Sequence, residues 1–206
     1  MSIKAPEIKM KRTADHPIES IFLERWSPRA FQPESMPTDH IHTILEAARW
    51  APSAFNIQPW RFLYACREDD HWQTFLELLD PFNAGWAKNA SVLVYALSDT
   101  LLKGSDGSER PLYSHSFDTG AAWAHAALQA TALGYAAHGM AGIHFEKARA
   151  TLRLPDRFHL EMAIAIGKQA DPQSLPPKLQ EREHPSGRHP LSHRAFAGFF
   201  PETDLT

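Results

Sequence analysis

Between Thr119 and Phe145 the chain carries no Asp, Glu, Lys or Arg. A helix there has no charged face to turn toward water, so it needs burial on most sides. The stretch is long enough to cross a bilayer. It is, however, rich in Ala and Gly and holds His125, Gln129, His138 and His144. Small side chains let backbones approach closely, which predicts a helix inside a protein or dimer core rather than a membrane span.

The rest of the composition agrees with a folded, water-facing protein. A chain of 206 residues suits one domain or a domain with extensions, and 43% hydrophobic residues can fill a core. Twenty-one basic against 24 acidic residues leave a net charge of −3, which gives no electrostatic footprint for nucleic acid or an anionic membrane. The one cysteine, Cys66, excludes an internal disulfide and any cysteine cluster for zinc or iron–sulfur. It follows an apolar run and reads as a packed, inert thiol. The segment Met1–Glu7 lacks the apolar core of a signal peptide, so a reducing cytoplasm is expected.

Periodicity outlines the elements. Asp15 to Glu19 predicts a helix start, with Ile18, Ile21 and Phe22 on one face. A second helix begins at Pro37-Thr38-Asp39, where Ile41, Ile44, Leu45 and Ala48 recur at helical spacing. Arg61–Ala65, Ser91–Leu97 and Met162–Ile166 read as strands, the second buried on both faces because it is continuously apolar. Helices are expected around Trp72–Leu79, over 118–133 as far as Gly134, and over Phe145–Leu152; Lys103–Arg110 is expected to be a polar loop and Gly139–Gly142 a turn. Strands interspersed with helices give an α+β class. From Lys168 to Pro190 the chain is too polar to fold alone, and Phe196, Phe199 and Phe200 favour wrapping over disorder.

Two proline-framed loops hold the candidate chemistry. Arg25-Trp26-Ser27-Pro28-Arg29-Ala30-Phe31 sets two guanidinium groups around a hydroxyl, a donor set suited to a phosphate monoester, or else a solvated surface pair. In Ala51–Trp60, Ser53, Asn56 and Gln58 lie among Phe55, Pro59 and Trp60. Carboxamides present donor and acceptor edges that suit a heterocycle, though they also build turns. Met140, Ala141 and Gly142 could bring backbone close to a ligand, and Arg188 is a further phosphate contact or a tail charge. His138 and His144 fall near the same region without a defined role. There is no G-x-G-x-x-G, no G-x-x-x-x-G-K-[ST], no G-x-S-x-G and no H-E-x-x-H, so a dedicated dinucleotide fold, a phosphate loop, a nucleophile elbow and a zinc-peptidase helix are all missing.

In order and spacing these segments resemble the FMN-dependent nitroreductase family. The resemblance runs from about residue 15 to residue 200. It is carried by Arg25–Phe31, by Ala51–Phe62, by Asp118–Ala122 through Gly134-Tyr135, and by Gly167 followed by Arg188-His189-Pro190-Leu191. Trp26 stands where the family commonly has Arg or His, a change that a backbone contact survives. The resemblance implies a central mixed or antiparallel sheet flanked by helices, in an intertwined homodimer with FMN at the interface. It divides the chain into a flexible segment 1–14, an FMN-binding domain 15–167 and a tail 168–206 reaching the partner and the phosphate. It implies that Arg25, Trp26, Ser27, Arg29 and Arg188 hold the phosphate end, that Ser53, Asn56 and Gln58 address the ring and ribityl chain, and that Met140, Ala141 and Gly142 approach the flavin N5 edge. No metal is implied. The activity implied is reduction of a small nitro-type or other electron-poor acceptor by NADH or NADPH, the cofactor supplying the chemistry. Enones, quinones and halogenated compounds are alternative acceptors, and a flavin carrier with little turnover is an alternative role.

Overall fold

The computed structural model describes residues 12–201. Its centre is strand β2 (Val92–Asp99), buried along nearly its whole length as its unbroken apolar character requires. Alternation sends Val92, Val94 and Ala96 into one core and Leu93, Tyr95 and Leu97 into the other. β2 pairs antiparallel with β1 (Trp60–Cys66) on one side and β6 (Phe158–Gly167) on the other, and β6 pairs with β5 (Ala136–Met140). The sheet order is β1-β2-β6-β5, so of the two expected arrangements the antiparallel one is realised.

One face is covered by α2 (Thr38–Arg49) and α5 (His115–Ala132). Ile41, Ile44 and Ala48 of α2 are buried as their spacing predicts. On α5 the buried positions include Ala122, Ala126 and Ala130, one helical turn apart, and this small stripe lets the helix lie close to the sheet. The other face is covered by α3 (Trp72–Leu76), α4 (Pro81–Ala87) and α6 (Phe145–Thr151). No helix of the described residues is long and apolar enough to cross a membrane.

Several expected boundaries are corrected. The first helix, α1, covers only Ser20–Glu24, since Glu19 before it (ψ 138°) and Arg25 after it (ψ 123°) both leave helical geometry. Its intended inner face is not inner: Ile18 and Phe22 are half exposed. The expected helix at 72–79 stops at Leu76, and α4 follows as a separate helix, opened by Pro81 at its first position and by Asp80, whose carboxylate accepts from Asn83 N at 2.7 Å. The polar loop 103–110 is the end of a small hairpin, β3 (Leu101–Lys103) with β4 (Glu109–Pro111). Gly139–Gly142 is not a turn, since its first two residues belong to β5.

The expected flexible segment 1–14 lies outside the described residues as far as residue 11. Arg12 is bonded to the domain, donating to the carbonyls of Leu23 at 3.0 Å, Arg25 at 2.7 Å and Ser186 at 2.9 Å. Beyond β6 the tail crosses the domain through α7 (Pro177–Gln180), with Leu175, Leu179 and Glu183 buried. From Ser186 to Phe200 every residue is exposed, the three terminal phenylalanines included, so this part does not wrap its own domain.

Replacing Ala126 by Leu would force methylenes into the α5–sheet contact. The substitution should cost about 1–3 kcal/mol, read as a lowered midpoint in urea unfolding.

Candidate functional site

The loop Arg25–Phe31 is held as an added edge against the start of the tail. Ala170 N donates to Ala30 O at 2.9 Å, Gln32 N donates to Lys168 O at 2.8 Å, and Phe31 forms a bridge with Gln169. Above it lies a cavity of about 430 Å³ whose lining includes Arg12, Arg25, Arg29, Arg182 and Arg188, with Trp26, Ser27 and His138 beside them. The sequence-predicted group Arg25, Trp26, Ser27, Arg29 and Arg188 is therefore brought together. Arg12, Arg182 and His138 join it from remote segments.

This lining is strongly cationic. Arg25 donates to Ser27 Oγ at 3.3 Å, Arg12 donates to carbonyls, and Arg188 donates to Gly187 O at 2.9 Å; none of these bonds goes to a carboxylate. Burial, and then the nearby Arg188 charge, hold the pKa values of Arg12 and Arg25 below the ordinary guanidinium value. Like charges gathered with little compensation are what an anion site needs and what a plain surface avoids.

The charged cavity borders a second one, of about 390 Å³, at Arg25 and Ser27. Trp123, Ala127 and Leu128 of α5, Met162 of β6 and Gly139 of β5 line it. Gly139 leaves room there, since a Cβ would press at 3.3 Å on the Trp123 ring and at 3.0 Å on Met162 Sδ. The arrangement joins an anion-binding end to an apolar compartment with an indole wall.

The other predicted residues lie outside both cavities. Ser53 Oγ accepts from Gln58 N at 3.0 Å, and Gln58 Nε2 donates to the backbone carbonyl of Asn56 at 3.1 Å, so the side chains of Ser53 and Gln58 build this turn. Asp118, buried at the start of α5, fixes this loop by accepting from Ala54 N at 3.1 Å and Ser114 Oγ at 2.8 Å. Phe55, Asn56 and Gln58 all have φ near +50 to +56°, a left-handed conformation that non-glycine residues hold only when the surroundings impose it. Phe55 projects almost wholly into solvent, as do Tyr113 and Phe117 nearby in the chain to Asp118. Met140 is buried in the core on the face away from Trp123, and Ala141 is exposed. Gly142 is required by packing: a Cβ would collide with the Asp80 carboxylate. His144 is an exposed residue at the start of α6.

His138 has a defined place. Its Nδ1 lies 2.8 Å from Pro28 O, which can only accept, so Nδ1 carries the proton. Its ring packs on Trp86 at 4.7 Å. Burial, offset in part by that hydrogen bond, holds its pKa below the ordinary value and keeps it neutral. Cys66 has its thiol pushed up to about 11, mainly by burial and then by Asp69, which suits an inert thiol. A polar network that the sequence did not announce joins β2, β6 and α5: Ser98 Oγ lies 2.7 Å from His115 Nδ1 and donates to Glu161 Oε1 at 2.5 Å. Glu161 is the extra residue of a bulge, between partners of Ala96 and Leu97. The network lines neither cavity and ties the start of α5 to the sheet.

Comparison with known proteins matches residues 23–168 to the nitroreductase family. The chain belongs to the nitroreductase family. A crystal structure described as an oxidoreductase containing FMN is 48% identical, with a TM-score of 0.91, over 93% of this chain and 97% of that one. An enone reductase of CLA biosynthesis from Lactiplantibacillus plantarum is 28% identical over 195 residues, 78% of this chain and 89% of the relative. An NADH dehydrogenase from Thermus thermophilus is 27% identical over 195 residues, 82% of this chain and 90% of the relative. Membership in the nitroreductase family makes the chain an oxidoreductase, as the sequence resemblance implied. Within this family fold, the basic cavity is built by loop, edge strand and tail together.

The partly buried, neutral His138 has a consequence for stability. A folded-state pKa below the ordinary 6.5 means that the unfolded chain binds the proton more readily. The contribution is present above pH 6.5 and is lost as pH falls through the folded-state value. Unfolding free energy measured by denaturant titration should fall on acidification below pH 6.5, and the fall should be shallower in His138→Gln.

Proposed function

We propose that this chain binds FMN, with the phosphate in the arginine-lined cavity and the ring toward Trp123, and uses NADH or NADPH to reduce small electron-poor acceptors. The observation that carries this is the junction of the two cavities at Arg25 and Ser27. A phosphate ester on a flat, largely apolar heterocycle fits such a pair. The guanidinium donors of Arg25, Arg29 and Arg188 and the Ser27 hydroxyl match phosphate oxygens. Trp26 contributes backbone at the same end. When bound, FMN would supply the two-electron chemistry, taking hydride from the nicotinamide and passing it to the acceptor. The chain's part is to hold the phosphate, shield the ring edge from water and place donors around it.

The carboxamide loop enters this proposal from a second subunit. Ser53, Asn56 and Gln58 line neither cavity of their own chain, while Phe55, Tyr113 and Phe117 and the whole tail from Ser186 to Phe200 are exposed. A homodimer that covers these aromatics would bring the loop of one protomer to the ring bound by the other and give the tail a partner to embrace. β5 is an edge strand that ends at Met140, and the backbone from Met140 through Ala141 to Gly142 would approach the N5 edge. Acceptors of nitro, quinone or enone type fit the same chemistry, and the similarity to an enone reductase makes enones worth testing first. A cytoplasmic setting belongs to the same proposal.

The purified protein should be yellow, release FMN on heating, and bleach when mixed with NADH or NADPH in a stopped-flow instrument. A colourless protein that takes up no FMN removes the proposal, and a yellow one that does not bleach makes it a carrier. Arg25→Ala and Arg188→Ala should each weaken FMN binding by about 1.5–3 kcal/mol, and the double variant by more than either, measured by fluorescence titration. Light scattering at micromolar concentration should give the mass of a dimer; a monomer with FMN bound would defeat the two-subunit site.

A further inference from the structure

We infer that Glu183 is a positioning residue for the phosphate loop, fixing the backbone from which Arg29 and its neighbours face the basic cavity. The inference rests on the FMN reading above and extends it to a tail residue outside the loop.

Glu183 follows α7, and its side chain is wholly shielded from solvent. Its Oε1 accepts from Arg29 N at 2.6 Å and from Ala30 N at 2.8 Å. Two consecutive backbone N–H groups on one carboxylate oxygen define the direction of a loop more closely than either bond alone. Its Oε2 is buried with no hydrogen bond, and the guanidinium of Arg29 stops 4.0 Å from it, with Arg29 Nε also buried and unbonded. A free Arg–carboxylate pair would close into a two-pronged contact. Here the carboxylate bonds the backbone instead, and Arg29 stays in the lining of the cavity. A buried carboxylate with one oxygen unbonded is costly, and two amide donors and a nearby cation compensate it.

The clamp has a second jaw. His138 donates to Pro28 O at 2.8 Å, so Pro28, Arg29 and Ala30 each have a backbone group held by a side chain from elsewhere. Glu183 also stands between Arg182 and His184, both of which line the cavity. One carboxylate thus fixes the loop and, from the same anchor, the tail that carries Arg182 and Arg188 to it.

Riboflavin, which lacks the phosphate, separates positioning of the phosphate loop from general stability. The flavin-free full chain is titrated with FMN and with riboflavin, and the two affinities are compared. Glu183→Asp keeps the charge but shortens the reach; it should weaken FMN binding about thirtyfold while changing riboflavin binding less than about threefold. Glu183→Gln keeps the reach and an acceptor, and should hold the FMN-to-riboflavin ratio within about threefold of the starting protein. Equal losses of both ligands in Glu183→Asp would make the residue merely structural and overturn the inference. An unchanged ratio in Glu183→Asp, or a ratio raised or collapsed in Glu183→Gln, would overturn it too, and the Gln result decides alone if the Asp variant does not fold. An unmutated protein that does not prefer FMN to riboflavin would instead sink the phosphate-site reading itself.

Discussion

Strand β2 is apolar on both faces, and everything else in the fold answers that fact. A strand so buried needs cover on two sides, so the chain must deliver helices to each. α2 and α5 close one side, α5 with an alanine stripe against the sheet; α3, α4 and α6 close the other with Trp72, Phe75, Trp86 and Ala148. With both faces filled, open cavities are left at the edge strand β5 and at the segments that pass over it. The arginine loop, the tail and the Trp123 wall all meet there.

The site gathers positive charge: among the described residues Arg12, Arg25 and Arg188 bond carbonyls and hydroxyls, and a carboxylate oxygen comes no nearer to the Arg29 guanidinium than 4.0 Å, at Glu183. Such crowding opposes folding until an anion arrives, and it is tolerated because loop, tail and residue 12 are cross-bonded through carbonyls and amides. Glu183, buried in this region, accepts its hydrogen bonds from backbone and stands 4.0 Å from the Arg29 guanidinium, so most of the crowd keeps its charge. Membership in the nitroreductase family and the likeness to an oxidoreductase containing FMN agree with a site of this character.

Much of this was legible in the sequence, and the gaps have physical causes. α2 could be read because Ile41, Ile44 and Ala48 repeat at helical spacing, and β2 because its run is unbroken. β5 could not: Ala136-Ala137-His138-Gly139-Met140 has no β-branched residue, and it is a strand because β6 offers a ladder and Trp123 needs the space above Gly139. α4 was missed although Asp80-Pro81 is a helix-start signal, a cap followed by proline at the first position. Arg25, Ser27 and Arg29 stood out because they share one loop. Arg12, Arg182 and Glu183 did not, since only the folded chain brings segments more than 150 residues apart into contact, as Arg29 and Glu183 show. The carboxamides of the second loop suggest a ligand, yet inside one chain that of Gln58 bonds its own turn.

Helix α4 also joins parts of the molecule that are far apart along the chain. At its start, Asp80 N donates to Gly142 O at 3.0 Å and Asn83 Nδ2 donates to the same oxygen at 3.3 Å. Near its end, Trp86 lies against His138, which in turn holds Pro28. A seven-residue rod thus spans from the connection after β5 to the arginine loop. Because packed side chains of this kind slide little, a displacement of the Gly142 segment has to be taken up by the whole rod, and the arginine loop and the connection after β5 share one mechanical frame.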